Sequence, residues 1–168
     1  TTNQGRTFVA MGNHWPSRSG GRLESAAYRA VAGETLAYWH DRIREELGDD
    51  TPIIVMGDFN DNPNNKSIEL IEKESDLFNP FKTVWSRDVG SLNHNFQWNL
   101  FDQILFSTNF FDNNNSYLSF DEADVFDIKS LTQYHGKYKG QPFRTYVGKK
   151  YMGGYSDHFP VYISLKSS

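Results

Sequence analysis

The run Pro52-Ile53-Ile54-Val55-Met56, followed at once by Gly57-Asp58-Phe59-Asn60-Asp61, constrains this chain more than any other segment. An apolar, β-branched run of this kind reads as a buried strand. Its abrupt end in Gly, Asp and Asn puts a carboxylate and an amide at the strand's tip. A second cluster mirrors it near the other end of the chain. There Gly153-Gly154 and Ser156-Asp157-His158 lead into the alternating strand Phe159-Pro160-Val161-Tyr162-Ile163. Carboxylates, an amide and an imidazole at strand ends suit metal-assisted phosphoryl chemistry. Carboxylate oxygens hold a hard cation, while Asn and protonated His donate hydrogen bonds to phosphate oxygens.

The segments between these clusters set the fold class. Thr7-Phe8-Val9-Ala10-Met11 reads as a strand that ends at Asn13-His14, before the loop Trp15-Pro16-Ser17-Arg18-Ser19-Gly20-Gly21. A helix is expected over 24–47, where Tyr28, Ala32, Leu36, Trp39, Ile43 and Leu47 recur at three- and four-residue steps on one face, with Arg29, Glu34, Asp41 and Arg44 mostly off it. Gly48 is placed to end that helix. After the strand to Asp58, Asn62-Pro63-Asn64-Asn65 reads as a turn and cap for a short helix from Lys66 to about Lys73. Further strands are expected over 101–106, 124–128 and 159–165, with loops over 109–116 and 133–154. Strands alternating with one long and one short helix make an α/β protein.

At 168 residues the chain has the size of one domain. A chain near this length hides about 70% of its unfolded surface, enough for a real core. The net charge of −4 is spread without basic blocks, so no global field steers a polyanion and any nucleic-acid contact must be local. The lack of cysteine removes disulfides, thiolate zinc sites and cysteine nucleophiles. It fits a reducing or an oxidising compartment, leaving secreted and periplasmic locations open. No apolar run approaches a membrane span. Thr1-Thr2-Asn3-Gln4-Gly5 resembles a loop or hairpin tip more than a native start.

Each chemical residue has a bland reading beside the functional one. Asp58, Asn60 and Asp61 are ordinary where a strand breaks into a turn, and Asp157-His158 is an ordinary polar strand opening. Asp102, within Asn99-Leu100-Phe101-Asp102-Gln103-Ile104-Leu105-Phe106, says more, because a carboxylate in an apolar strand is costly to bury unpaired. A histidine is its natural partner, and the pairing would favour a charged, phosphate-facing imidazolium. His14, also at a strand end, reads equally as a satisfied half-buried histidine. His40 on the helix and His94 and His135 in polar loops are expected at the surface.

The order Asn13-His14-Trp15-Pro16-Ser17-Arg18, Gly57-Asp58-Phe59-Asn60-Asp61, Phe101-Asp102-Gln103-Ile104 and Ser156-Asp157-His158-Phe159-Pro160-Val161 resembles the endonuclease/exonuclease/phosphatase superfamily, the deoxyribonuclease-like metal-dependent phosphodiesterases and phosphatases. The resemblance implies that 1–168 is the C-terminal portion of a four-layer α/β sandwich, supplying one mixed sheet with its covering helices. The N-terminal half, which carries an Asn and a Glu for the metal and a Glu for the histidine matched by His14, would lie elsewhere. An inner sheet face left without that half would be apolar and prone to self-association. The resemblance also implies roles. Asp58 orients or deprotonates the attacking water, Asn60 holds the scissile phosphate, and Asp157 contributes to a Mg²⁺ site that Mn²⁺ can also fill. His158 donates to a phosphate oxygen with Asp102 fixing its tautomer, and His14 contacts the phosphate from the other side.

Gly12-Asn13-His14 and Gly57-Asp58-x-x-Asp61 also imitate motifs of the calcineurin-like metallophosphoesterases, but in reversed order and without an upstream Asp-x-His. A catalytically incomplete fragment or an interaction domain on the same fold is the non-enzymatic alternative. The substrate, whether nucleic acid, phospholipid or inositol phosphate, is set by loops grafted on the fold. Phe143-Arg144-Thr145-Tyr146 and Tyr151 line a substrate pocket in one reading and pack on their own sheet in the other.

Overall fold

Parallel strands joined through a helix form the first half of the molecule. The computed structural model describes residues 7–111 and 118–167. Its elements run β1 (Val9–His14), α1 (Ala26–Leu47), β2 (Ile53–Asp58), α2 (Lys66–Glu74), β3 (Leu77–Phe78), α3 (Phe81–Val84), β4 (Leu92–His94), β5 (Gln97–Asn99), β6 (Asp102–Ser107), β7 (Leu118–Val125), β8 (Tyr146–Val147), β9 (Lys150–Tyr151) and β10 (Val161–Ser167). The segment Thr1–Gly5 lies outside the described residues, as does the loop expected over 109–116 from residue 112 onward.

A mixed sheet in the order β1-β2-β6-β3 carries the fold, with β1 parallel to β2 and β6 antiparallel to both of its neighbours. A parallel pair needs a crossover, and α1 supplies it. On one face α1 and α2 cover a core of Leu36, Ile53, Val55, Phe59, Ile68, Ile71, Leu77 and Leu105. On the other, the antiparallel pair β7–β10 packs Phe120, Ile163 and Leu165 on Ile54, Phe106 and Phe110. The mixed α/β sheet with covering helices is as expected, and this separate ribbon adds a layer on the face opposite the helices.

The expected faces and boundaries shift where polar packing or hydrogen bonding overrides the pattern. In α1 the buried positions are Arg29, Gly33, Leu36, Ala37 and His40, while Tyr28, Trp39 and Leu47 are exposed. The inward stripe is therefore turned from the one that apolar spacing predicts. Arg29 is drawn inward by a buried carboxylate, and Trp15 fits closely against Gly33. His40 is correspondingly buried rather than at the surface, with Nδ1 3.2 Å from Asp41 Oδ1, whereas His94 and His135 are exposed as expected. Gly48 ends α1 with φ 105°, and no described helix is long and apolar enough to cross a membrane.

Asn65 sits at the N-cap of α2, yet its side chain accepts from Asn62 N–H at 2.7 Å and so ties the preceding loop rather than the helix. The strand expected over 124–128 is β7, which ends at Val125. Its alternation is hidden by a bulge: Leu165 pairs with Phe120 and Ser164 with Glu122, leaving Asp121 unopposed. Leu118 and Phe120 therefore share a face with Ala123 and Val125, a switch of parity that a period-two reading misses. The last strand begins at Val161 rather than Phe159, because Phe159 N–H donates to Ser91 O at 2.7 Å and Pro160 has no N–H. Within 133–154 the expected loop contains one short hairpin, β8–β9.

Candidate active site

Strand register lines up the candidate residues at one end of the sheet. His14 is the register partner of Asp58 across β1–β2, and Asp58 is the partner of Asp102 across β2–β6. An isolated bridge between Leu92 and His158 brings the imidazole alongside Asp102, closing a row from His14 through Asp58 and Asp102 to His158. Gly57 is needed to build that row. It has φ 145°, and a Cβ there would lie 1.8 Å from Asn13 O. The tight approach sets the spacing of β1 and β2 one residue before the carboxylate.

His158 Nδ1 lies 2.6 Å from Asp102 Oδ2, a short charge-assisted contact between two partly buried side chains. Burial alone pulls the His158 pKa down. The hydrogen bond to Asp102 and the charges of Asp102, Asp58 and Asp157 together outweigh it and raise the pKa above the ordinary histidine value. Burial also raises the Asp58 carboxyl, and Asp102 adds to that rise. The Asn60 backbone N–H, donating to Asp58 Oδ1 at 2.8 Å, opposes it together with His158 and His14. His14 Nε2 stands 3.8 Å from Asp58 Oδ2 on a side chain that is 78% exposed, so it faces open solvent beside the row.

The loop after β2 is held by a buried polar cluster. Asp61 accepts from Arg18 Nη2 at 2.6 Å and from Ser67 Oγ at 2.5 Å, and it pairs with Arg29 Nε at 2.8 Å. Asp61, bracketed with Asp58 and Asn60 in the sequence, thus has a structural role that fixes the other two. Arg18 Nε donates to Asn60 O at 2.7 Å. Asn60 sits in the left-handed region at φ 52°, a conformation Asn tolerates. Its Nδ2 donates to Trp15 O at 2.9 Å, leaving one amide proton for a ligand. Gln103, fully buried, bridges Asp61 O, Leu100 O and Asn79.

Ser91 was invisible to motif reading. It is fully buried: its Oγ accepts from Asp102 N–H at 3.2 Å, and its carbonyl accepts from Phe159 N–H. One serine between two loops therefore sets Asp102 and His158 against each other. Its only sequence signal is the small-residue stretch Gly90-Ser91 ahead of a strand.

Asp58, Asp102 and His158 form a group whose ligand atoms all lie within 4.8 Å of one another. Asp157 is not in that group; it is exposed, and its Oδ2 lies 3.9 Å from Arg144 Nη1. The donors fit a hard cation in kind. Two of the three are carboxylates, the chain has no thiolate, and the crowding of Asp58 by Asp102 is negative charge that a divalent ion would relieve.

The fold is shared with solved proteins at low sequence identity. A protein of unknown function from Enterococcus faecalis V583 matches at TM-score 0.58 and 14% identity over 99% of this chain and 53% of its own. A mannosyl-6-phosphatase from Bacteroides thetaiotaomicron VPI-5482 matches at 0.58 and 17% identity over 94% and 51%. A Staphylococcus aureus beta toxin variant with bound magnesium ions matches at 0.55 and 16% identity over 99% and 55%. The chain thus spans about half the length of these structures. No curated protein matches it by sequence. The model of the Endonuclease/Exonuclease/phosphatase family matches residues 2–167, nearly the whole chain, and the chain belongs to that family of phosphoesterases and nucleases.

Proposed function

We propose that this chain forms the catalytic wall of a Mg²⁺-dependent hydrolase of phosphate esters. The observation that carries the reading is the 2.6 Å Asp102–His158 contact, set by sheet register in one row with Asp58 and His14. His158, kept protonated by Asp102, donates from its free Nε2 to a phosphate oxygen as negative charge builds there. Asp58 orients or deprotonates the attacking water, and its raised pKa makes it a stronger base than an ordinary carboxylate. Asn60 and His14 hold the phosphate from the side of β1. A divalent ion, Mg²⁺ or Mn²⁺, would be held with Asp157 as one ligand, and when bound it polarises the phosphoryl group. Mg²⁺ keeps several waters and needs only one or two protein carboxylates besides the phosphate. Its remaining ligands, and a partner for His14, are proposed to come from residues outside this chain. The magnesium-bearing beta toxin and the mannosyl-6-phosphatase support the reading through the shared fold alone.

The test is hydrolysis of a panel of phosphate monoesters and diesters by the full-length protein with and without chelator, repeated with Asp102→Asn, His158→Ala and the double variant. Groups acting as a unit are strongly non-additive, so the double loss should match the larger single loss. Turnover that survives chelation removes the metal, and a double loss equal to the product of the single losses removes the coupled pair.

A further inference from the structure

Beside the catalytic row runs a broad groove of about 1420 Å³, bounded by the loop after β1, the segment after α3 and the β4–β5 hairpin. Asn60, whose backbone N–H holds Asp58, and Asp157, the chain neighbour of His158, are among its lining residues, so it lies next to the row. Its walls carry Arg18, Arg22, Arg87 and Arg144 against the single carboxylate of Asp157, in a chain whose net charge is −4. Four of the 17 Lys and Arg residues therefore face this one groove. Two of the arginines are held by the protein: Arg18 by Asp61, and Arg144 by Asn93 O at 3.4 Å and Asp157 at 3.9 Å. Arg22 and Arg87 are exposed and have no ion-pair or hydrogen-bond partner for their guanidinium groups among the described residues.

The hairpin that walls this groove is built at a cost in backbone strain. Its two turn residues, Asn95 and Phe96, have φ 50° and 63°, as a tight hairpin turn of this type demands. Phenylalanine at such a position is strained, and Gly is the usual occupant. The Phe96 ring is fixed by stacking on Tyr138 at 5.8 Å with Lys137 Nζ 5.1 Å from its centroid. The other end of the hairpin, Leu92, bridges His158. One backbone bridge thus ties the wall to the residue that carries the imidazole.

We infer that this groove is a second anion subsite: Arg22 and Arg87 bind a phosphate of the substrate other than the one being hydrolysed, so the enzyme prefers esters carrying at least two phosphates. This rests on the phosphoesterase reading above and assigns the substrate class within it. Two unpaired, fork-shaped donors lining one groove suit a tetrahedral anion, and binding energy taken from a remote part of the substrate serves the reacting centre.

The test uses matched pairs that differ by one phosphate: thymidylyl-thymidine with and without a 5′-phosphate, and fructose 1,6-bisphosphate against fructose 6-phosphate. Binding is measured calorimetrically in EDTA, where turnover is blocked, and kcat/KM is measured with Mg²⁺. The second phosphate should tighten binding by about tenfold or more, the size of one charge-assisted contact, and the double variant Arg22→Ala/Arg87→Ala should erase that gain. The same variant should leave the affinity for the one-phosphate member within about twofold, since neither residue belongs to the catalytic row. A preference in the nucleotide pair alone identifies the next phosphate of a nucleotide chain, and one in the sugar pair alone identifies a small bisphosphate. Equal affinity within both pairs, or a preference that survives the double variant, overturns the inference. Absence of hydrolysis with the binding preference intact would instead count against the phosphoesterase reading and leave the subsite standing.

Discussion

Asp61→Asn should be among the most damaging isosteric changes in this chain, although Asp61 touches no substrate. Its side chain is 7% exposed and lies between two guanidinium groups, Arg29 at 1% exposure and Arg18 at 20%. The asparagine keeps the shape but removes the charge, so Arg29 becomes a buried cation without a counter-ion. Breaking a buried pair from one side costs about 3–5 kcal/mol. Arg18 can rehydrate at the groove, so the lower half of that range is the better expectation. Against a total stability of about 5–15 kcal/mol this is a large share. At about 2–4 °C per kcal/mol for a domain of this size, the melting temperature should fall by roughly 6–16 °C. Urea unfolding followed by tryptophan fluorescence reads the change, since Trp15 packs edge-on against Phe59 in the core next to this loop. Adding Arg29→Met removes the stranded charge, so the double variant should lose at least about 1 kcal/mol less than the sum of the single losses. A single-variant loss below about 1 kcal/mol, or strict additivity, would show that the cluster does not hold the loop as argued.

Asp58→Asn should have the opposite effect on stability. An acid whose folded pKa is raised is most favourable when protonated, below its unfolded value of about 3.9, and that advantage is lost as pH rises through the folded pKa. The neutral asparagine should therefore raise the urea midpoint at pH 7 with little change near pH 3, while hydrolysis falls by about 100-fold or more; a variant less stable at pH 7 contradicts this. For His158 the raised pKa means that its contribution to stability is complete below about pH 6.5 and lost as pH rises through the folded value. Activity that needs the imidazolium should show an alkaline limb, and Asp102→Asn should move that limb to lower pH; an unmoved limb would assign it to another group. Ser91→Ala removes the acceptor for Asp102 N–H inside the core and should cost about 1–3 kcal/mol. It should also lower kcat more than it raises KM, whereas an effect on stability alone would make Ser91 merely structural.

What the sequence discloses and what it hides divide along physical lines. Strand tips are legible because a buried strand must be apolar and continuous, so Asp58 at the end of Ile53–Asp58 and Asp102 opening Asp102–Ser107 stand out as breaks in pattern. Pairing Asp102 with a histidine followed from the cost of burying an unpaired carboxylate, and the 2.6 Å contact with His158 agrees. The inward face of α1 departs from its apolar spacing for the same reason that the strands are legible. Apolar spacing assumes an apolar interior, but the interior beneath α1 includes Asp61, and the residue it draws inward is Arg29. A buried charge pair inverts the usual sign of a helix position, and neither partner reveals the other across 31 intervening residues. β7 fails differently: one unopposed residue, Asp121, reverses the parity of the alternation halfway along. The arginine groove has no local signature, since Arg22, Arg87 and Arg144 come from three loops, and an even scatter of charge along the chain folds into an uneven one in space. Groups that loops bring together only after folding therefore stay hidden, while the row from His14 to Asp102, fixed by register between neighbouring strands, can be read from the chain itself.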